Sequence, residues 1–273
     1  MTAEPTVHQE DTKSNSDPDS LPAEVYRQVH LKSEADKLLL ILPKTPQKPV
    51  TEDWTQIIQD LKYCLSHHQG SWKAGTCVYL IAQNRLLDSR QLHNIGQIIA
   101  SFKLKLSCIR TNRRQTAVAA ATAGYSVEQE VSKVSLFSDT QSTQSLLAEP
   151  LYVKTTVRSG VAIRHPGTVI IQGDINPGGE VIADGDIIIW GCLRGIAHAG
   201  ARGNQECCIM ALRMQPTQLR IGELVARAPS VAPEVIEPEI AYISSEGIRL
   251  KSAFNFNKTH VFQQKKQGWQ AKT

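Results

Sequence analysis

VIIQGDINPGGEVIADGDIIIWGCLRGIAHAGARGN, residues Val169–Asn204, decides the fold because it divides into three rows of twelve residues. Glycines share one column of the rows and aliphatic residues open them: Gly179, Gly191 and Gly203; Val169, Val181 and Leu193. A chain that winds around a β-solenoid needs residues at its corners that accept positive φ or a close backbone approach. The Val/Ile-rich runs between the corners favour short strands. The pattern therefore predicts a short right-handed β-helix (solenoid) in the C-terminal part of the chain.

Composition indicates an ordinary water-soluble chain long enough for two modest domains. It has 273 residues, of which 41% are hydrophobic and 21% charged. The net charge of +4 is too small to argue for a nucleic-acid partner. The six cysteines form no CxxC pair, which fits a reducing compartment. We find neither a signal peptide nor a membrane-spanning run, so the sequence predicts a cytoplasmic protein.

The first half of the chain alternates apolar runs with helical stripes. Short strands are predicted at Leu38–Leu42, Cys77–Ala82 and Leu104–Ile109. Helices are predicted after each strand, with N-caps at Thr51 and Asp88 and a third helix over Ala117–Ala123. Strand and helix in alternation predict a small α/β sheet.

These patterns divide the chain into five segments. We predict a disordered acidic leader (1–24), an α/β domain (25–125), a linker (126–155), a β-helix domain (156–256) and a basic tail (257–273). The tail holds lysines and no acid, and the residues after Phe256 are expected to fray.

Catalytic and metal-binding groups are sparse. His198 could act as the general base of a β-helix acyltransferase, but such enzymes have a six-residue period that the twelve-residue rows do not show. His67–His68 and Cys207–Cys208 have no spacing that closes a metal shell. GDINPGG lacks the lysine and hydroxyl of a phosphate-binding loop. The sequence therefore predicts neither an enzyme nor a cofactor.

Charged residues have ordinary explanations. Asp174, Asp184 and Asp186 each adjoin a glycine, and aspartate supports tight corners by bonding its own backbone. The basic cluster Arg110, Arg113 and Arg114 has no interleaved aromatics and is interpreted as a solvated loop rather than a phosphate site. What remains is a solenoid whose apolar faces need covering, which is typical of assembly and adaptor proteins.

The residues from Val157 to Gly200 resemble one family closely. RSG (Arg158–Gly160), GDINPGGEVIADGDI (Gly173–Ile187) and WGCLRGIAHAG (Trp190–Gly200) are similar to RSGQ, G(D)VNPGAEVIADGNIHIYG and LRGRALAG of the C-terminal domain of the MinC family. This resemblance covers about residues 156–227. The preceding α/β domain matches the family in size, place and general pattern.

The resemblance implies a non-enzymatic inhibitor of bacterial cell division. MinC proteins dimerise through the C-terminal β-helix and bind MinD, a membrane-associated ATPase that carries them to the inner face of the cell membrane. Their N-terminal domain antagonises FtsZ polymerisation, which blocks septum formation at improper sites. The chain is expected to be cytoplasmic and to meet the membrane only through MinD.

Six positions match family residues linked to MinD binding: Arg158, Ser159, Gly160, Gly178, Asp184 and Gly195. The arginine offers a fork of donors suited to a carboxylate, and the glycines permit close backbone approach. Two positions depart from the family, because Val161 stands where its glutamine follows RSG and Ile196 where its arginine follows LRG. A self-assembling β-helical scaffold stays open as the alternative, and a transferase using His198 as a weaker one.

Overall fold

The described part of the chain alternates strand and helix in its first half and is almost entirely strand in its second. The computed structural model describes residues 28–34, 36–44, 53–68, 72–130, 147–227, 237–264 and 267–272. The predicted acidic leader and the Thr51 helix cap lie outside these ranges.

Eight elements make up the first half. They are β1 (His30–Glu34), β2 (Lys37–Ile41), α1 (Asp53–His67), β3 (Cys77–Gln83), α2 (Ser89–Ser101), β4 (Lys105–Thr111), α3 (Arg114–Thr122) and β5 (Ser126–Gln129). Strands β2 to β5 are parallel, and β1 adds an antiparallel edge that the sequence did not predict. Helix α2 begins with the predicted capping box, in which the Gln91 amide donates to Asp88 Oδ1 at 2.7 Å. The α/β prediction for this half is confirmed.

Thirteen strands and a one-turn helix are described in the second half. They are β6 (Ala148–Val153), β7 (Ala162–His165), β8 (Gly167–Ile171), β9 (Glu180–Ala183), β10 (Ile187–Leu193), β11 (Ile196–Ala199), β12 (Ile209–Met214), β13 (Gln218–Ile221), β14 (Leu224–Arg227), β15 (Glu239–Ser244), β16 (Gly247–Ser252), α4 (Phe256–Thr259), β17 (His260–Gln263) and β18 (Gly268–Ala271).

An inward-facing apolar side chain recurs at every sixth position from Leu151 to Leu193. Each of these residues is at most 1% exposed: Leu151, Val157, Ile163, Val169, Ile175, Val181, Ile187 and Leu193. The twelve-residue rows are therefore wrong as a description of one turn of the chain, since their opening residues fall on three successive strands, β8, β9 and β10. A six-residue period, which the sequence interpretation denied, is present.

One turn of the winding takes 18 residues at its start. Val169 pairs in parallel with Ile187, and isolated parallel bridges join Val157 to Ile175 and Ile175 to Leu193. The strands fall into a first ladder, β6–β8–β10–β12, and a second ladder, β7–β9–β11–β13. The bridge column of Val157, Ile175 and Leu193 runs between the two ladders along the chain.

Aspartates connect one turn of the winding to the next. Asp174 Oδ1 accepts a hydrogen bond from the Cys192 amide, and Asp186 Oδ1 accepts one from the Cys208 amide, each at 2.8 Å. Both bonds reach a backbone that lies one turn further along the chain. The expectation that these acids bond their own corners is wrong for both residues, which join neighbouring turns instead.

The two halves share one sheet. Val127 of β5 pairs in parallel with Ile163 of β7, so that ten strands form a continuous sheet from β1 to β14. The Ala162 amide donates to Ser126 Oγ at 3.0 Å. Strands β5 and β6 occupy the two ends of the segment 126–155, which the sequence analysis interpreted as linker. Its middle, 131–146, lies outside the described residues.

Polar side chains reinforce this junction. His165 is 1% exposed, and its ring nitrogens lie 3.1 Å from Gln129 Oε1 and 3.0 Å from the Glu149 carbonyl. Burial lowers the pKa of His165, so the neutral ring is favoured there. Arg114 lies 2.9 Å from the Glu149 carboxylate and also donates to the Pro150 carbonyl. Arg114 of the predicted solvated cluster stays exposed and yet contributes to the junction through these contacts.

The described residues after Phe256 form regular structure, so the predicted fraying is wrong for them. Strands β15 and β16 form an antiparallel hairpin, and a second hairpin, β17–β18, follows it. Phe256 stacks on His260 with ring centroids 4.5 Å apart, and Tyr242 and Trp269 lie within 5.3 Å of the Phe256 centroid. In the described part of the predicted basic tail, aromatic packing therefore holds the backbone. The lysine-rich composition did not reveal it.

Candidate functional site

The RSG motif lies at one corner of the winding, where three turns of chain stack on one another. Residues 158–160 precede β7, residues 176–179 precede β9 and residues 194–195 precede β11. Because β7, β9 and β11 are parallel neighbours, the segments before them share one edge of the second ladder. We call these three segments the RSG corner. It contains five of the six predicted site residues.

Glycine is required at two levels of this corner. Gly160 and Gly178 have φ of 78° and 79°, and the Gly160 amide donates to the Gly178 carbonyl at 2.8 Å. A Cβ on Gly178 would lie 2.5 Å from Ser159 Oγ. A Cβ on Gly195 would collide with the Gly179 carbonyl oxygen of the turn beneath. The corner is therefore tight and smooth, with backbone exposed where side chains would otherwise project.

Two arginines of the corner differ in their partners. Arg194 donates from Nη2 to Asp174 Oδ2 at 2.8 Å and to Asn176 Oδ1 at 2.9 Å, which fixes it against the preceding turn. Arg158 is exposed, and its guanidinium makes no hydrogen bond or ion pair with any residue in the described ranges. Sequence reasoning named Arg158 and missed the structural role of Arg194, although the LRG motif contains it.

Asp184 lies away from the RSG corner. It follows β9, whereas Gly178 precedes that four-residue strand, so the two residues lie at opposite ends of it, roughly 13 Å of strand apart. Asp184 pairs with Arg202 at 2.7 Å. Burial raises the pKa of Asp184, and the nearby Arg202, Arg164 and His198 oppose that effect. The structure thus brings five predicted residues together and places the sixth at the far end of the same ladder.

The departures from the family pattern have structural settings. Val161 is half-buried and packs against the hydrophobic core beside the corner, where a glutamine would bring an amide. Ile196 lies on the outward row of the second ladder, level with Glu180 and Gln218. Val161 thus packs on the core where the family has an amide, and Ile196 places an apolar side chain between Glu180 and Gln218 where the family has a charge.

Other candidate chemistry has structural explanations. His198 Nε2 lies 3.0 Å from the Gly222 carbonyl, and Arg113 Nε donates to the Asn84 carbonyl at 3.0 Å. Burial raises the pKa of Cys207 to about 12, so its thiol stays protonated. Within the described ranges, no group of three His, Cys, Asp or Glu could hold a metal ion. None of the helices described there combines the length and apolarity needed to cross a bilayer.

An apolar face covers the outside of the first ladder. Its outward row runs Tyr152, Ile170, Ile188 and Met210 in register across four strands. Trp190 and Leu212 also lie exposed on its strands; Trp190 is 64% exposed. We call these six residues the apolar face. Contiguous apolar surface of this kind marks an interaction surface more often than a bare exterior.

Several known proteins are similar to this chain in sequence. A family model described as "Septum formation inhibitor MinC, C-terminal domain" matches residues 151–253. A probable septum site-determining protein MinC of Nostoc sp. is 51% identical over 235 residues, which are 86% of this chain and 64% of the relative. Its counterpart in Gloeobacter violaceus is 44% identical over 237 residues, covering 87% of this chain and 83% of the relative.

A solved structure is also similar to part of the chain. It is the MinC:MinD cell division protein complex of Aquifex aeolicus, with 38% identity, coverage of 39% of this chain and 88% of that chain, and a TM-score of 0.37. The Gloeobacter relative is matched over most of its length at high identity, and the family model covers the region that contains the RSG corner. The chain therefore belongs to the MinC family of septum site-determining proteins.

Proposed function

We propose that this chain blocks septum formation at improper sites by antagonising FtsZ polymer assembly, and that MinD recruits it from the cytoplasm to the membrane. Membership of a family of cell-division regulators supports the role. The observation that carries the partner proposal is the RSG corner, a tight exposed edge whose Arg158 guanidinium bonds to none of the described residues.

Arg158 gives the corner its chemistry. A guanidinium fork binds a carboxylate through two parallel hydrogen bonds, and arginines of this kind often dominate protein interfaces. The glycines at 160, 178 and 195 keep side chains from blocking the approach of a partner's backbone. In this proposal Ser159 adds a hydroxyl beside Arg158, and Asp184 with Arg202 contributes a charged pair at the far end of the ladder.

We propose further that the winding is a short right-handed β-helix and that it dimerises through the apolar face. The 18-residue spacing between paired parallel strands and the six-residue inward period support the β-helix. A homodimer would remove Trp190 and Leu212 from water, and two-fold symmetry would set each apolar face against its copy. Removing apolar surface from water favours such an association.

The dimer is tested by sedimentation velocity of the full chain. The parent is expected to sediment as a dimer at micromolar concentration, and Trp190→Glu as a monomer, because a buried carboxylate would face its symmetry mate. Leu250→Glu is a suitable control, since Leu250 is exposed on β16 outside the apolar face. A monomeric parent, or a Trp190→Glu dimer as stable as the parent, would contradict this surface.

FtsZ sedimentation tests the function itself. FtsZ polymerised with GTP should pellet less when the full chain is added, because the proposed inhibitor weakens polymers without consuming nucleotide. MinD, ATP and lipid vesicles should then bring the chain into the vesicle fraction. Undiminished FtsZ pellets across a wide range of concentrations would reject the antagonism, and absence from the vesicle fraction would reject recruitment by MinD.

The two alternatives are distinguished by other measurements. A self-assembling scaffold would use the apolar face for open filaments, which light scattering separates from a closed dimer. The transferase alternative gains the six-residue period that the sequence interpretation denied it. His198→Ala with unchanged FtsZ antagonism would exclude a catalytic role for that histidine in this function, and family membership favours that result.

A further inference from the structure

A cavity of about 260 Å³ lies where the two halves of the chain meet. One wall is the C-terminal end of α3, residues 121–124. The other is residues 155–158, which end in Arg158, together with Val161 and Ile163. We call it the junction cavity. Arg158 of the RSG corner thus lines the same cavity as a helix end that belongs to the α/β half.

We propose that the surface which receives MinD is composite, and that an acidic side chain of the partner enters the junction cavity to pair with Arg158 and to accept a hydrogen bond from the Thr122 hydroxyl at the end of α3. This inference rests on the proposed function, because it takes MinD as the partner of Arg158. It adds the α/β half of the chain to a surface otherwise formed by the winding alone.

The size and lining of the cavity suit a protein side chain. Pockets for drug-sized ligands and cofactors are typically about 300–1,000 Å³, larger than this one. Hydroxyl-bearing residues stand on both walls, with Thr122 on α3 and Thr155 and Thr156 opposite. Arg158 supplies the charge, and it has no acidic partner among the residues that the structure describes. A carboxylate is the group that this combination of donors binds best.

The helix end is held in a fixed conformation. The Gly124 amide donates to the Ala121 carbonyl at 3.0 Å, the Tyr125 amide donates to the Ala120 carbonyl at 3.1 Å, and Gly124 has φ of 87°. These bonds close the last turn in the way that glycine commonly ends helices. The negative end of the α3 dipole favours a neighbouring cation such as Arg158 and disfavours an anion, so in this proposal the partner's acid is held by the guanidinium and the threonine hydroxyls rather than by the helix end.

The two walls are fixed relative to each other. Strand β5, which follows the helix end, pairs with β7, which follows the RSG motif. The Ser126–Ala162 hydrogen bond and the Arg114–Glu149 ion pair join the same two halves. A preformed cavity binds more tightly than one that must be assembled, because less conformational freedom is lost on binding.

Charge placed on the cavity wall tests the proposal. Thr122→Glu in the full chain sets a carboxylate opposite Arg158, where it competes with the partner's acid, so MinD with ATP should bind about tenfold more weakly. Thr122→Lys offers the same acid a second cation and should bind at least as tightly as the parent. Gln115→Glu is the matched control, since it adds the same charge to the exposed first turn of α3 and should bind within about twofold of the parent.

The outcomes separate this inference from the function on which it rests. Thermal melting first confirms that each variant is folded. Binding of Thr122→Glu at the parent's affinity, with Arg158→Ala impaired, would overturn the composite surface and leave MinD recruitment standing. Equal weakening by Thr122→Glu and Gln115→Glu would also overturn it, because the effect would not depend on the cavity. A parent chain that does not bind MinD would reject the proposed partner itself.

Discussion

Ile175→Ala is expected to lower the free energy of unfolding by about 2–5 kcal/mol. Ile175 is fully buried, forms bridges to the turns on both sides and lies under Gly195 at the RSG corner. Truncation would leave a cavity at the centre of three stacked turns, and the tight backbone spacing around it gives little room for collapse. Guanidinium unfolding followed by circular dichroism measures the change.

Ile196→Ala is the control for this substitution. It removes the same atoms from an isoleucine in the same region, but Ile196 is only half-buried and points outward from the second ladder. We expect its cost to be well below that of Ile175→Ala. Equal costs for the two variants would contradict the assignment of the six-residue inward positions as the core of the winding.

Arg158→Ala is expected to weaken MinD binding by about 30-fold or more, because an interface arginine that pairs with a carboxylate is often a hot spot worth about 2 kcal/mol. The guanidinium is exposed and makes no bond within the described chain, so its removal should leave the melting temperature unchanged. Arg158→Lys keeps the charge but loses the planar guanidinium that can form two parallel hydrogen bonds, so this variant should bind MinD with intermediate affinity. Binding to MinD with ATP is measured by titration.

The matched control is Arg213→Ala. Arg213 is exposed on β12, in register with Cys192 and outside the three segments of the RSG corner, and its removal changes the net charge equally. Its affinity for MinD should equal that of the parent. If both variants weaken binding alike, the effect is one of overall charge, and Arg158 has no special place in the interface.

The sequence predicted the elements of the fold better than their arrangement. The α/β pattern and the capping box at Asp88 follow from local rules and were confirmed. The turn length was wrong because glycines were aligned rather than inward residues. Aliphatic residues stand at every sixth position from Leu151 to Leu193, and that signal was available in the sequence.

The pairing of strands that lie far apart in the chain could not be predicted from the sequence. Val127 and Ile163 are neighbours in the sheet but lie far apart in the chain, and no local pattern specifies that β5 joins β7. The same holds for the site, where the resemblance placed Asp184 beside RSG without showing that a whole strand separates them. The paired state of Arg194 depends on Asp174 one turn away, which only the winding reveals.

The inward residues at every sixth position fix the spacing that the winding must keep. Consider one residue inserted into a strand between Val157 and Leu193. It would turn the next inward side chain toward water, and it would shift that strand out of register with the turns above and below. Corners are more permissive. Ile187 pairs with Ile209 across 22 residues rather than 18, and the surplus lies in the loop between β11 and β12. Length changes in this half should therefore accumulate at its corners, where they alter the outline of the molecule and leave its core in phase.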